Sequence, residues 1–159
     1  MKELINQYRY HEWANEALLR HLETLPDEVF TAPVQNVFAS IAEVFGHLAG
    51  AEEVWSARMM NTEVPPLAIK PFRTVQDAAT DLARLHKQFI HWLEQQDDES
   101  RLISYRTTKG EPFTNRMDDI VLHVMNHGTY HRGNIASMIR QLGYTGVSID
   151  YIIYARSRD

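Results

Sequence analysis

The sequence predicts an all-α protein, a four-helix bundle with a short hairpin-like insertion before the fourth helix and a short C-terminal helix. Apolar residues recur at spacings of three and four along four long segments, the period of an amphipathic α-helix. A proline-bearing stretch and a β-branched stretch interrupt these segments, which indicates one long loop and one hairpin. A chain of 159 residues fits a single domain over 1–159.

The first two helices carry polar residues on their apolar faces. The first helix is predicted over residues 2–25, where a proline ends it. His11 and Asn15 share its apolar face, and hydrogen bonds across the core are the favoured role for both. The second helix is predicted from about 37 to 60, with Val37 among the residues of its apolar centre.

The third helix is predicted to follow a near capping box formed by Thr74 and Asp77 and to run to about Gln96. His86 and His91 fall on this helix at a separation of five. That separation is poor for shared chelation, so both histidines are assigned to the surface or to an edge.

The hairpin is predicted over residues 101–114, where β-branched and aromatic residues flank a lysine–glycine turn signal. Thr114 or Asn115 is expected to cap the fourth helix, and Gly143 is expected to end it. Ser148 is expected to cap the short last helix.

Composition excludes several classes of function. The chain contains no cysteine, so a metal site would have to consist of histidine and carboxylate ligands. The net charge is −5 and the basic residues are scattered, so no nucleic-acid surface is expected. The N-terminus lacks a signal-peptide core, and no apolar run approaches the ~18 residues of a membrane span. We therefore expect a soluble, cytoplasmic protein without membrane contact.

Motifs of other enzyme classes are missing as well. The sequence shows no serine triad, phosphate-cradling glycine loop or dinucleotide fingerprint. A ferritin-like di-iron site would need Glu-x-x-His on two helices, and that motif does not occur.

Three histidines, His123, His127 and His131, recur at an interval of four in the predicted fourth helix. Because a helix turns 100° per residue, His131 falls inside the apolar arc, His127 at its shoulder and His123 nearer solvent. Two imidazoles one turn apart can direct ring nitrogens at one divalent ion. His123 and His131 begin about 12 Å apart along the axis, so a third ligand would come from another element. Packed or exposed histidines without a metal are the alternative.

His47 is the candidate third ligand, because small residues around it on the second helix would let another helix or a ligand come close. Glu52 points along the apolar direction of the same helix. It is interpreted either as an acceptor for a ligand imidazole or as an inter-helix hydrogen bond. Asn134, three residues after His131, is a further candidate for orienting a ring or the bound ligand.

Three segments carry a resemblance that covers nearly the whole chain: YRYHEWANEALLRHL, FGHLAGAEEVW and HVMNHGTYHRGNI. In this order they resemble the DinB/YfiT family of bacterial helical-bundle metalloproteins. In that family one histidine of the second helix and two of the fourth bind a divalent metal, usually zinc or nickel. The resemblance therefore implies His47, His127 and His131 as ligands, whereas His123 matches a histidine often found there without being a ligand.

The resemblance further implies a homodimer and metal-dependent transfer or isomerisation that uses a low-molecular-weight thiol such as bacillithiol or mycothiol. The leading hypothesis is a metal-dependent enzyme in which one divalent ion activates a thiol or water. One alternative is a non-catalytic stress-response or small-ligand-binding bundle whose metal is structural or absent. Another is a metal-dependent hydrolase with the same site. The number of protein ligands separates these classes, because a structural zinc is closed by four.

Overall fold

The computed structural model describes residues 1–158 and contains four long helices, a two-stranded sheet and two short helical elements. The long helices are α1 (Lys2–Leu22), α2 (Ile41–Met60), α3 (Val75–Leu93) and α4 (Met117–Gln141). The strands β1 (Leu102–Arg106) and β2 (Pro112–Arg116) lie between α3 and α4, a 3-10 turn (Asp27–Phe30) follows α1, and α5 (Tyr151–Arg156) comes last. The predicted four-helix bundle is confirmed.

The long helices pair in a fixed pattern. α1 packs against α3 and α4, and α2 packs against the same two helices, so α1 and α2 lie diagonally across the bundle. Among the described residues, no helix combines the length and the apolar character that a bilayer span requires.

The interior of the bundle consists of two apolar clusters with polar side chains between them. One cluster contains Leu18, Phe45, Leu82 and Ile139 among others, and the second contains Tyr8, Met59, Phe89 and Val121. Between them all four helices contribute buried polar residues, which we call the polar layer: His11, Asn15, Glu52, His86 and Arg132. Burial of such groups is costly unless they bond to one another, so the stability of the polar layer depends on the contacts among its members.

Helix α2 begins four residues later than predicted, at Ile41. The hydroxyl of Ser40 accepts a hydrogen bond from the backbone N–H of Glu43, and the Glu43 carboxylate accepts one from the N–H of Ala39. This reciprocal cap fixes the start of the helix. The placement of Val37 in the core is wrong, because its side chain is 82% exposed.

The predicted capping box of α3 is confirmed. Thr74 Oγ1 accepts from the N–H of Asp77 at 3.1 Å, and the Asp77 carboxylate accepts from the N–H of Thr74 at 3.0 Å. The helix ends at Leu93, three residues before the predicted end, and α1 likewise ends at Leu22 rather than at 25.

The predicted hairpin is confirmed, and its second strand is longer than expected. Thr114 and Asn115 pair with β1 inside β2, so the expectation that one of them caps α4 is wrong. α4 instead follows Arg116 directly, without a side-chain cap. Ser148 does not cap α5 either, because its hydroxyl donates to the Asp150 carboxylate and the helix begins at Tyr151.

Glycines let the backbone elements of the bundle approach closely at two places. A Cβ at Gly50 of α2 would overlap the carbonyl of Ala68, in the loop that crosses this helix. A Cβ at Gly128 of α4 would overlap the ring of His11 on α1. The close approach of α4 to α1 at Gly128 leaves room for the His11 ring in the polar layer.

Candidate metal centre

The structure brings His47 of α2 together with His127 and His131 of α4. Nε2 of His127 lies 3.0 Å from Nε2 of His47 and 3.1 Å from Nε2 of His131. His131 is buried, and the other two are half-buried. In residues 1–158 this cluster of candidate donors contains no fourth histidine or carboxylate. The ring nitrogens therefore converge from two helices on one point.

Local sequence explains why these rings can meet. His127 and His131 lie one helical turn apart, and α2 packs against α4, where the ring of His47 meets that of His127. Aromatic side chains flank two of the histidines: the Phe38 ring centroid lies 5.1 Å from that of His47, and the Tyr130 centroid lies 5.0 Å from that of His131. The imidazoles of His47 and His131 thus pack against neighbouring rings.

Burial keeps these imidazoles neutral. It lowers the pKa of His127 to about 4, and repulsion from the neighbouring His131, His47 and His123 rings acts in the same direction. Burial, together with the adjacent His47 ring, also lowers the pKa of His131 to about 4. Desolvation lowers the pKa of His47. At pH 7 each ring has a free nitrogen lone pair, which is the form that binds a metal ion.

The spacing of the nitrogens fits a divalent ion. Metal–nitrogen distances of about 2.0–2.1 Å in tetrahedral geometry place ligand nitrogens about 3.3 Å apart. The two Nε2 separations in this cluster, 3.0 and 3.1 Å, are close to that value. Residues 47, 127 and 131 therefore fit a three-histidine site.

The remaining predicted site residues lie outside this cluster. His123 is exposed, its ring centroid is 6.1 Å from that of His127, and it packs edge-on against Trp55. Asn134 forms no hydrogen bond with a histidine of the cluster, and its buried Nδ2 has no partner within residues 1–158. His131 Nδ1 is also buried and without a partner in that part of the chain.

Glu52 lies in the polar layer instead, where its carboxylate joins two other histidines. Oε1 lies 2.7 Å from Nε2 of His11, and Oε2 lies 3.1 Å from Nε2 of His86. The interpretation of Glu52 and His11 as members of an inter-helix hydrogen-bond network agrees with this arrangement. The assignment of His86 to the surface is wrong, because that side chain is 1% exposed.

His11, Glu52 and His86 also form a cluster of candidate metal ligands, and hydrogen-bond chemistry distinguishes it from the first. Nη1 of Arg132 lies 3.1 Å from Nδ1 of His11. A guanidinium can only donate, so Nδ1 accepts and the proton of neutral His11 is on Nε2. That proton points at Glu52 and occupies the position that a metal would need. The polar layer is therefore a hydrogen-bonded network.

Charges in the polar layer compensate one another. Burial alone would raise the pKa of Glu52, but His86 and His11 hold it well below its usual range. Burial opposes the charged form of His86, yet the Glu52 carboxylate raises its pKa. Arg132 adds a second buried cation, and Asn15 Oδ1 accepts from its Nη1 at 3.0 Å. The buried carboxylate is thus matched by cations and hydrogen-bond donors.

Sequence comparison assigns the family. A model of the DinB family matches residues 1–158. The chain belongs to the DinB family. The protein DinB of Bacillus subtilis (strain 168) is 31% identical over an alignment of 158 residues, and the match covers 92% of this chain and 90% of that protein. The resemblance drawn from the three sequence segments is thereby confirmed.

Solved structures of DinB-like proteins share the fold. A DinB-like protein from Bacillus cereus ATCC 10987 superposes with a TM-score of 0.72 at 17% identity, covering 93% of this chain and 96% of the other. YfiT from Bacillus subtilis, a probable metal-dependent hydrolase with an unusual four-helix bundle topology, superposes with a TM-score of 0.70 at 18% identity. That alignment covers 91% of this chain and 90% of YfiT.

Two residues of the polar layer were missed by sequence reasoning. Arginines next to a helix face are usually solvated, so the sequence pattern does not point to Arg132. The spacing of His86 from His91 indicates the surface and not the core. Gly128 provides a signal for Arg132. A Cβ there would lie 2.8 Å from its Nη1, so the glycine leaves the space that the guanidinium fills.

Proposed function

We propose that this DinB-family protein is a metal-dependent enzyme that transfers a low-molecular-weight thiol to an electrophile. The observation that carries the proposal is the convergence of three Nε2 atoms, from His47, His127 and His131, without a fourth protein donor in residues 1–158. Catalytic zinc sites typically have three protein ligands and keep a place for water or substrate, whereas structural sites are closed by four. Zinc and nickel are the proposed ions, since imidazole suits both.

The protein contributes a neutral ligand set to this chemistry. Because the three imidazoles are uncharged at pH 7, they leave the +2 charge of a divalent ion uncompensated and favour an anion beside it. When bound, the ion supplies Lewis-acid activation of a thiol or of water at neutral pH. The ring of Phe38 packs against His47 and His131, and the ring of Tyr130 packs against His131.

A metal-dependent hydrolase is the second candidate, and the similarity to YfiT favours it. The two functions share the three histidines and differ in the nucleophile, thiol or water. A non-catalytic bundle with a structural metal is less well supported, because it would require a fourth protein ligand. The homodimer and the thiol cosubstrate, which the family resemblance implies, belong to the proposal. The cytoplasmic location, which we expect from the sequence, belongs to it as well. Light scattering would test the dimer.

The test is a pair of reactions on protein reconstituted with zinc or nickel. In the first, bacillithiol, mycothiol or glutathione reacts with 1-chloro-2,4-dinitrobenzene: a C–S bond forms, chloride leaves with its electron pair, and the thiol proton passes to solvent. In the second, p-nitrophenyl acetate is hydrolysed without thiol. Thiol consumption that is lost in His131→Ala and kept in His123→Ala supports thiol transfer. Metal-dependent hydrolysis without thiol transfer would favour the second candidate. The absence of both reactions would favour the non-catalytic binding bundle.

A further inference from the structure

A groove of about 640 Å³ lies away from the three histidines, between the end of α2, the loop that follows it and β1. None of its lining residues is a histidine. The volume lies in the usual range of small-molecule sites, about 300–1,000 Å³. Apolar side chains form part of its wall, and two of them, Val64 and Leu67, are 44% and 49% exposed. The groove therefore offers apolar surface that the chain itself does not cover.

A positively charged side chain lies in this groove without an anion. Arg58 of α2 is half-buried, and within residues 1–158 its guanidinium forms neither an ion pair nor a hydrogen bond. Nε of Arg58 is fully buried and unpartnered. Guanidinium groups at such positions usually pair with a carboxylate or phosphate. The pairing partner of Arg58 is thus missing from the described chain.

Aromatic rings hold this guanidinium in place. Cζ of Arg58 lies 4.6 Å from the ring centroid of Trp55 and 5.2 Å from that of Tyr105. The Tyr105 hydroxyl donates to Asn115 at 2.8 Å, which fixes the ring on the hairpin. A stacked guanidinium is pre-organised, so it loses little freedom when a bidentate partner binds.

The groove is positively charged in a protein of net charge −5. Among residues 1–158 its charged lining residues are Arg58 and Arg106, and no aspartate or glutamate of that part of the chain lines it. Arg106 is exposed at the edge, where Nη1 donates to the carbonyl of Gly110. The local charge therefore favours an anion, although the protein as a whole is acidic.

We propose that this groove binds a small organic carboxylate. The carboxylate pairs with the guanidinium of Arg58, and the apolar body of the ligand lies against Val64, Leu67 and the prolines of the loop. A planar carboxylate matches the fork of N–H groups on arginine. The largely apolar wall favours an organic body over inorganic phosphate. His47 and Arg58 are eleven residues apart on α2, about 16 Å along the axis, so this site is separate from the metal centre.

The experiment is a titration of the full chain with benzoate, with its neutral isostere benzamide and with inorganic phosphate, followed by NMR. Benzoate is expected to shift the Nε–H resonance of Arg58 and the backbone amide resonances of residues 104–108 in a saturable manner. Benzamide, which carries no charge, should not shift these resonances. Arg58→Gln is expected to weaken benzoate binding at least tenfold, because a charge-assisted pair is lost. Arg20→Gln, which removes the same charge on α1, is the matched control and should bind as wild type does.

The outcomes separate the possibilities without depending on one variant. Equal binding of benzoate and benzamide to the wild type, or no saturable shift, would overturn the proposal even if Arg58→Gln failed to fold. Phosphate binding without benzoate binding would also overturn it. Retention of benzoate binding in His131→Ala would support a site that is independent of the metal. The carboxylate site can therefore be tested even if the proposed enzyme activity is not found.

Discussion

Arg132 distinguishes the two sets of candidate metal ligands, the three histidines of the metal centre and the His11, Glu52 and His86 set, although it is itself a member of neither. It follows His131 directly in the sequence, yet its guanidinium reaches across the core to Nδ1 of His11. That contact places the proton of His11 on Nε2 and turns the polar layer into a hydrogen-bonded network. In the described part of the chain no guanidinium donates to the three histidines of the metal centre, so their lone pairs stay available. Spacing identified His127 and His131, but the distinction between the two clusters needed the three-dimensional contacts of one arginine.

Gly128→Ala is expected to destabilise the protein by about 1–3 kcal/mol, the usual cost of overpacking a core. The new methyl group would overlap the ring of His11 and lie 2.6 Å from its Nδ1, so α1 or the network has to move. Chemical unfolding of metal-free protein, followed by circular dichroism, measures the change.

Gly133→Ala is the matched control on the same helix. Within residues 1–158 no atom beyond the adjoining residues and the backbone of the helix itself lies within 4 Å of a Cβ at Gly133, so the higher helix propensity of alanine should stabilise the protein by about 0.5–1 kcal/mol. Equal effects of the two substitutions would contradict the close approach of α1 and α4 at Gly128.

Glu52→Gln is expected to lose stability in a pH-dependent manner. The depressed pKa of Glu52 means that its stabilising contribution is complete above its ordinary value of 4.5 and is lost as pH falls. The raised pKa of His86 means that its contribution is complete below 6.5 and is lost as pH rises through the folded value. The advantage of wild type over Glu52→Gln should be largest from about pH 5 to 6, roughly 2–4 kcal/mol.

Urea unfolding of metal-free wild type and Glu52→Gln at pH 4, 5.5 and 8 provides the measurement. A stability difference that is the same at all three pH values would show that Glu52 and His86 do not form an ion pair.

At the scale of elements, the sequence predicted the helices and the hairpin, because their positions depend on local periodicity and turn residues. All four long helices and the hairpin lie where the apolar spacing and the turn signal indicated. Their ends were less predictable, because a side chain caps a helix only if the backbone before it takes the right path. Thr74 meets that condition, whereas Thr114 is held in β2 by its pairing with Ser104.

Two helix starts test this reading of the caps. Thr74→Ala is expected to cost about 1 kcal/mol, because it removes the acceptor for the N–H of Asp77. Ser148→Ala should change the free energy of unfolding by less than about 0.5 kcal/mol, because within residues 1–158 its exposed hydroxyl bonds only to Asp150. Thermal and urea unfolding of both variants measure the effect. A larger loss of stability from Ser148→Ala than from Thr74→Ala would contradict this account and indicate that Ser148 caps α5.

At the scale of the whole molecule, helix pairing decides how the buried polar groups are used. Periodicity shows which face of each helix is buried but not which helix lies opposite. For this reason Glu52 could be placed in the core from the sequence, while its partners, His11 and His86, could not be named. The diagonal arrangement of α1 and α2 sets the polar layer between the apolar clusters and leaves His47 facing α4.

The central claim is that residues 47, 127 and 131 hold one divalent ion, and metal content tests it most directly. Untagged wild type, His131→Ala, His123→Ala and Glu52→Gln would be purified without chelator or nickel resin, reconstituted with zinc or nickel, and assayed by elemental analysis. We expect about one ion per chain in wild type, His123→Ala and Glu52→Gln, and loss of the ion in His131→Ala. Retention in His131→Ala, or loss in Glu52→Gln alone, would contradict the assignment and move the metal to the polar layer. A wild type that binds no ion would leave these histidines as packing residues.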